Sequence, residues 1–253
     1  MPPRTFRKHR AGAPAGFFAV EAAGLRWLAA AEGGVPVAAP LRVRDDGIEL
    51  ESIEPGPPSA AAAERLGRRL AATHAAGAPA FGSPPDGWRG DGFIGPIPLP
   101  HNESQQWGVF YADSRVAPYA EQAGRAGALS PRGRRAVEAV CARLRDGEWD
   151  DDRPPARLHG DLWSGNVLWS PDGAVLIDPA AHGGHPETDL AMLDLFGLPH
   201  LARVLAAYDE AAPLADGWRE RVGLHQLHPL LVHAVLFGAA YGVRAETVAR
   251  SLA

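Results

Sequence analysis

The stretch Leu158-His159-Gly160-Asp161-Leu162-Trp163-Ser164-Gly165-Asn166 constrains this chain more than any other. Asp161 and Asn166 stand five positions apart, and Asp178 follows twelve positions after Asn166, closing the apolar run Val175-Leu176-Ile177. Between them, Val167-Leu168-Trp169 and Ala174-Val175-Leu176-Ile177 read as two short strands joined by the turn Ser170-Pro171-Asp172-Gly173. A hairpin returns its two ends to the same edge, so Asn166 and Asp178 are expected to meet. One acid beside two further oxygen donors can place a base next to a site for a hard cation. Turn chemistry alone also favours His, Asp and Asn in loops, but it does not explain why spacing, hairpin and second acid agree.

The 253 residues suffice for one large domain or two small lobes. The hydrophobic fraction of 46% and charged fraction of 22% are those of a globular protein. A net charge of −5 argues against a general nucleic-acid binder. The single cysteine, Cys141, excludes an intramolecular disulfide and is compatible with a reducing cytoplasm. The N-terminus is basic without an apolar segment, so no signal peptide is expected. No apolar run approaches the roughly eighteen residues of a membrane helix, so no membrane association is expected either.

In chain order, Thr5 to Lys8 reads as a strand that puts Phe6 and Lys8 on one face. Phe17 to Ala31 reads as a helix carrying Glu21 and ended by Gly33-Gly34. Val35 to Val43 and Ile48 to Ile53 read as strands joined at Asp45-Asp46-Gly47. Glu54-Pro55-Gly56-Pro57-Pro58 breaks the pattern and predicts a boundary between residues 1–54 and 55–253. Helices are expected over Ser59 to Ala76, with Ser59 as N-cap, from Gln105 toward Ala126, and over Pro131 to Arg145. Phe81 to Pro100 and the acidic run Glu148 to Asp152 read as loops, the latter solvated. Glu187 to Phe196, Leu201 to Ala211 and Trp218 to Tyr241 read as further helices. Too few strands alternate with helices for a doubly wound sheet. The expected class is α+β: a small sheet lobe followed by a mainly helical lobe.

The Asp-to-Asn spacing with a strand-end Asp resembles the catalytic loop of protein kinases. More specifically, His159-Gly160-Asp161-Leu162-Trp163-Ser164-Gly165-Asn166 with Ile177-Asp178-Pro179-Ala180 resembles the fructosamine kinase, or ketosamine-3-kinase, family. That family is related to aminoglycoside phosphotransferases and choline kinases. The likeness extends to Phe6-Arg7-Lys8, Glu21-Ala22-Ala23-Gly24-Leu25, Gly92-Phe93-Ile94-Gly95, Trp107-Gly108-Val109-Phe110 with Arg115, and Glu187-Thr188-Asp189-Leu190-Ala191-Met192. The resemblance implies a bilobal protein-kinase-like fold. It also implies transfer of the ATP γ-phosphate to the 3-hydroxyl of a ketosamine, free or on a glycated protein, and a link to deglycation.

On this reading Asp161 is the base, Asn166 and Asp178 hold Mg²⁺, and Lys8 contacts the ATP phosphates while paired with Glu21. Glu51, Ser52 and Ile53 would form the hinge that meets adenine. Trp163 would lay a flat face on the sugar or pack in the core. Asp189 and His159 are expected to brace the loop. His182, His185 and Asp189 form a thin set for a transition metal. Only seven residues precede Lys8, so the Gly-rich phosphate loop is expected to be missing, in a compact N-lobe or upstream of the start given, and ATP binding to be weakened. Asp178-Pro179-Ala180 also lacks the Phe-Gly of protein kinases. A kinase for another hydroxylated metabolite, such as an amino sugar or aminoglycoside, and a pseudokinase remain open, as does the oligomeric state.

Overall fold

The structure, a computed structural model, describes residues 4–253. Residues 1–3 lie outside the described residues, and with them the first part of the segment before Lys8. Three strands, β1 (Thr5–His9), β2 (Pro40–Arg44) and β3 (Gly47–Glu51), form an antiparallel sheet in the order β1-β3-β2. The β2–β3 hairpin turns at Asp45-Asp46, and its register shifts between Pro40 and Arg42. The expected strand from Val35 is shorter than the apolar pattern suggested. Val37 leaves this sheet and makes an isolated parallel bridge to Leu176.

Helix α1 (Phe17–Ala29) covers the sheet because Phe18, Ala22 and Leu25 recur on one face and bury against Ile48 and Leu50. Each large apolar side chain buried this way contributes roughly 1.5–3 kcal/mol. Glu21 lies on the same buried side of α1. A carboxylate taken from water destabilises unless it is paired, so its position demands a cation from the sheet.

The remaining elements are mainly helical. Helix α2 (Ala60–Ala75) starts where the Ser59 hydroxyl accepts from the Ala62 amide at 3.2 Å. Next comes a hairpin, β4 (Gly92–Ile94) and β5 (Ile97–Leu99), inside the stretch expected to be loop. The expected helix from Gln105 divides into α3 (Trp107–Phe110), a π-helical segment (Tyr111–Val116) and α4 (Ala117–Arg125). Helix α5 (Pro131–Arg145) follows, capped by Ser130. Strand β6 (Ala156–Leu158) pairs antiparallel with β9 (His182–Gly184), and these two bracket the hairpin β7 (Val167–Ser170) and β8 (Gly173–Leu176). Helices α6 (Glu187–Phe196) and α7 (Leu201–Ala211) match expectation. The last expected helix breaks at Gly238, whose φ of 95° suits glycine, giving α8 (Trp218–Phe237) and α9 (Ala239–Leu252). The acidic run is not wholly solvated: Asp150 accepts from the Gly108 amide at 2.7 Å, and Asp151 lies 3.3 Å from His185.

Candidate functional site

Strand β6 delivers the chain to the loop, and its end is held from beneath. The amides of His159 and Gly160 donate to the two carboxylate oxygens of Asp189, at 2.8 and 3.0 Å. Asp189 is fully buried on α6 and also faces His74 Nε2 at 3.2 Å. Burial pushes its carboxyl up, but the bonds from His74 and His159 outweigh it and hold Asp189 below the usual range. His159 donates Nε2–H to the Ile177 carbonyl at 2.8 Å, so its Nδ1 is the acceptor for the Asp161 amide at 3.3 Å. Both residues expected to brace the loop do so. Gly160 has φ 80°, and a Cβ there would lie 2.2 Å from the Ala180 carbonyl oxygen. Only glycine passes at this crossing.

The hairpin brings the expected residues together. Asn166, at the end of a single 3-10 turn (Ser164–Asn166), donates Nδ2–H to the Asp161 carbonyl at 2.8 Å and its carboxylate at 3.2 Å. Its Oδ1 is left as the amide's acceptor. Asp178 follows β8 with φ 55°, a left-handed conformation that Asp tolerates better than most residues and that functional sites retain. Its Oδ1 accepts from Lys8 Nζ at 2.6 Å, and Glu21 Oε1 accepts from the same ammonium at 2.8 Å. The buried Glu21 thus finds its cation on β1. Burial alone would lower the Lys8 ammonium, but Glu21 and Asp178 raise it above its ordinary value. The Asp161 carboxyl is also raised: burial, reinforced by Asp189 and Asp178, outweighs the Asn166 bond and lifts it to about 6.

These groups line one cavity of about 250 Å³, with Lys8, Glu21, Asp161, Asn166 and Asp178 on its polar side. Phe17, Val20, Phe93, Gly95 and Trp163 supply the apolar wall. The Phe93 and Gly95 contribution comes from the unforeseen β4–β5 hairpin. Trp163 is 39 % exposed and meets Phe196 edge-on with centroids 6.0 Å apart. Its ring lies across Gly165, where a Cβ would stand 2.3 Å from the ring edge. Gly165→Ala should therefore swing the exposed indole away with little change in melting temperature. On the expectation that Trp163 faces a sugar, KM for that sugar should rise several-fold at nearly constant kcat; an unchanged KM would remove that expectation.

Glu51, Ser52 and Ile53 are not in this cavity. They border a neighbouring one of about 530 Å³ together with Val37, Arg69 and Val175. Two of their amides are engaged, Glu51 N to the Ala39 carbonyl and Ser52 N to the Arg4 carbonyl, both at 2.9 Å. The metal set His182, His185 and Asp189 is not assembled: His182 Nδ1 bonds the Ala180 carbonyl, His185 faces Asp151, and Asp189 serves the loop. Instead His185, Glu187 and His225 converge within 4.8 Å. Arg221 bonds both Glu187 oxygens, at 3.0 and 2.6 Å, so a guanidinium already fills the cation's place. Burial opposes ionisation of Glu187, but His225 and Arg221 hold it down at about 2.

A lysine on a small sheet, a glutamate on the covering helix, and an Asp, Asn, Asp set on a loop and hairpin define a protein-kinase-like phosphotransferase. The fructosamine kinase family model matches residues 3–253, and the chain belongs to that family. It is 36% identical to a "Probable ketoamine kinase" of Thermus thermophilus over 230 residues, covering 90% of this chain and 79% of that protein. It superposes with a TM-score of 0.91 on a crystal structure from Thermobifida fusca described as a "putative fructosamine-3-kinase". That match is 51% identical and covers 99% of this chain and 85% of the other. An aminoglycoside phosphotransferase, 15% identical with a TM-score of 0.60 over 99% of this chain and 91% of its own, shares the fold.

Proposed function

We propose that the chain transfers the γ-phosphate of ATP to the 3-hydroxyl of a ketosamine, with Mg²⁺ as its metal, acting in the cytoplasm. Residues 1–54 and 55–253 are its two lobes on this reading. The observation that carries it is the meeting of Lys8, Asp161, Asn166 and Asp178 on one cavity in a member of the fructosamine kinase family. The names of the relatives support the ketoamine class, and the phosphorylated adduct would decompose to release the amine. Among the described residues no helix is long and apolar enough to cross a membrane.

The donors suit a hard cation. Asn166 Oδ1 and the Asp178 carboxylate would be oxygen ligands, and no thiol or imidazole is found among the described residues that line the cavity. When bound, Mg²⁺ would neutralise charge on the phosphate oxygens. Lys8, kept charged by Glu21 and Asp178, would contact the α- and β-phosphates. Asp161 would accept a hydrogen bond from the acceptor hydroxyl and take its proton; at neutral pH it is ionised yet basic enough to do so. Trp163 would lay its face on the sugar C–H groups, and Phe17 and Phe93 would limit water. Adenine would meet the carbonyls of residues 51–53 and the Ile53 amide, since the Glu51 and Ser52 amides are engaged.

The test is ATP consumption with a panel of ketosamines of different sugar length, beside amino sugars and an aminoglycoside. Turnover confined to ketosamines supports the reading; turnover of the other acceptors alone overturns it. Chelation of Mg²⁺ should abolish turnover, and zinc should not restore it. Asp178→Ala should do the same at saturating Mg²⁺. Full activity of that variant would move the metal elsewhere.

A further inference from the structure

An aromatic run leads out of the Lys8 cavity from Trp163. The indole meets Phe196, the last residue of α6. Phe196 meets the His233 ring with centroids 4.8 Å apart, and His233 meets Phe237 and Tyr241 at 5.3 and 5.0 Å. These rings come from α6, α8 and α9, so no single amphipathic helix face accounts for them. The same end of α8 borders the cavity: a Cβ on Gly95, which lines it, would stand 3.6 Å from Leu236 Cδ1. Phe237, the last residue of α8, is 66 % exposed. An aromatic ring left that open beside a cavity forgoes the stability that burial would bring.

The chemistry of a ketosamine says which of its ends reaches these rings. Only the ketone carbon and the terminal carbon separate its amine nitrogen from the carbon that carries the 3-hydroxyl. With that hydroxyl at Asp161 and the phosphates on Lys8, Asn166 and Asp178, the amine substituent leaves by the apolar wall that holds Trp163. The nitrogen is an alkylamine, protonated at neutral pH. Aromatic faces attract such a cation, and they pack against hydrocarbon beyond it. The polyol end would instead leave its hydroxyls unpaired against the rings. His233 does not repel the cation. Its Nδ1–H donates to the Pro229 carbonyl at 2.7 Å, and burial, with Arg244, outweighs that bond and holds the imidazole below its ordinary value, neutral at neutral pH.

We propose that the surface of Phe196, His233, Phe237 and Tyr241 is the subsite for the amine half of the acceptor. It favours an amine on a hydrocarbon stem, as in a glycated lysine side chain, over one with a carboxylate next to the nitrogen. The proposal rests on the ketosamine reading above.

The experiment measures kcat/KM of the full chain for adducts of one sugar with methylamine, butylamine and glycine at saturating ATP. The butyl adduct should exceed the methyl adduct by about tenfold, the effect of roughly half-burying three methylenes. The glycine adduct should not exceed the methyl one. Phe237→Ala should bring the butyl-to-methyl ratio close to one, and Phe237→Leu should keep part of it. A general loss of activity would not move that ratio, and truncating so exposed a side chain should leave the fold intact. Equal values across the amines, or a ratio that Phe237→Ala leaves unchanged, overturn the subsite alone. A glycine adduct that is preferred does the same, since it would assign the amine end to the charge of Arg244. So does a native dimer in sedimentation that Phe237→Ala dissociates, because a second copy would then cover the rings. No turnover of any ketosamine overturns the function proposed above, and the subsite with it.

Discussion

Asp161→Asn is expected to lower turnover by about 10²–10⁴, the range of a positioned general base, while melting at neutral pH no lower than the native chain. The two outcomes share one cause. Burial and the neighbouring carboxylates of Asp189 and Asp178 raise the Asp161 carboxyl to about 6. A carboxyl raised above its unfolded value binds a proton more tightly when folded. Its protonated form therefore favours the fold, and that contribution is lost as pH rises from about 4 to 6. Asparagine removes the ionisation and keeps the shape, so nothing stabilising is lost at neutral pH. The proposed general base would act in the opposite form, so kcat/KM should rise with pH through an apparent pKa near 6. The measurement is a pH–rate profile beside melting curves of both proteins. A folded Asp161→Asn chain with near-native turnover would remove Asp161 from the chemistry.

The parts of this site that the sequence reveals are those whose geometry is local. Five residues fix Asn166 against Asp161, and a four-residue turn fixes the return of Asp178, so side-chain convergence follows from spacing alone. Lys8 and Glu21 lie 13 positions apart, and their pairing follows from a strand passing under a helix. The β4–β5 hairpin escapes because its strands are three residues long and hold Pro98, so no alternation can build up. With it go Phe93 and Gly95 as cavity walls. Glu187, Arg221 and His225 are joined only by the packing of α6 on α8, at a separation of 34 residues or more, and no pattern along the chain announces them. The strand expected to run to Ile53 ends at Glu51, and that residues 51–53 border a different cavity from Lys8 is a tertiary fact. Gly165 is equally silent until the Trp163 ring is seen across it.

Asp189→Ala should be the more damaging change to the fold and should also remove activity, although Asp189 lines no part of the Lys8 cavity. Its carboxylate accepts from the His159 and Gly160 amides and faces His74, all within a buried cluster. Truncation leaves two buried backbone donors and a buried histidine without their acceptor. Each orphaned polar group destabilises by about 1–3 kcal/mol, and loss of one partner from such a buried charged cluster by about 3–5 kcal/mol. For a chain of this length that corresponds to a melting temperature lower by roughly 6–20 °C. The sign with pH opposes that of Asp161. The Asp189 carboxyl sits below its usual value, so its contribution is complete at neutral pH and fades as acid protonates it in the folded state. The native and variant melting curves should therefore converge as pH falls. Asp189→Asn keeps one acceptor and should fall between the two, recovering more stability than turnover because the Gly160 amide no longer has a charged partner to fix Asp161. An alanine variant that melts with the native chain would mean that the loop is held by other contacts, and that the Asp189 bonds are incidental to both fold and site.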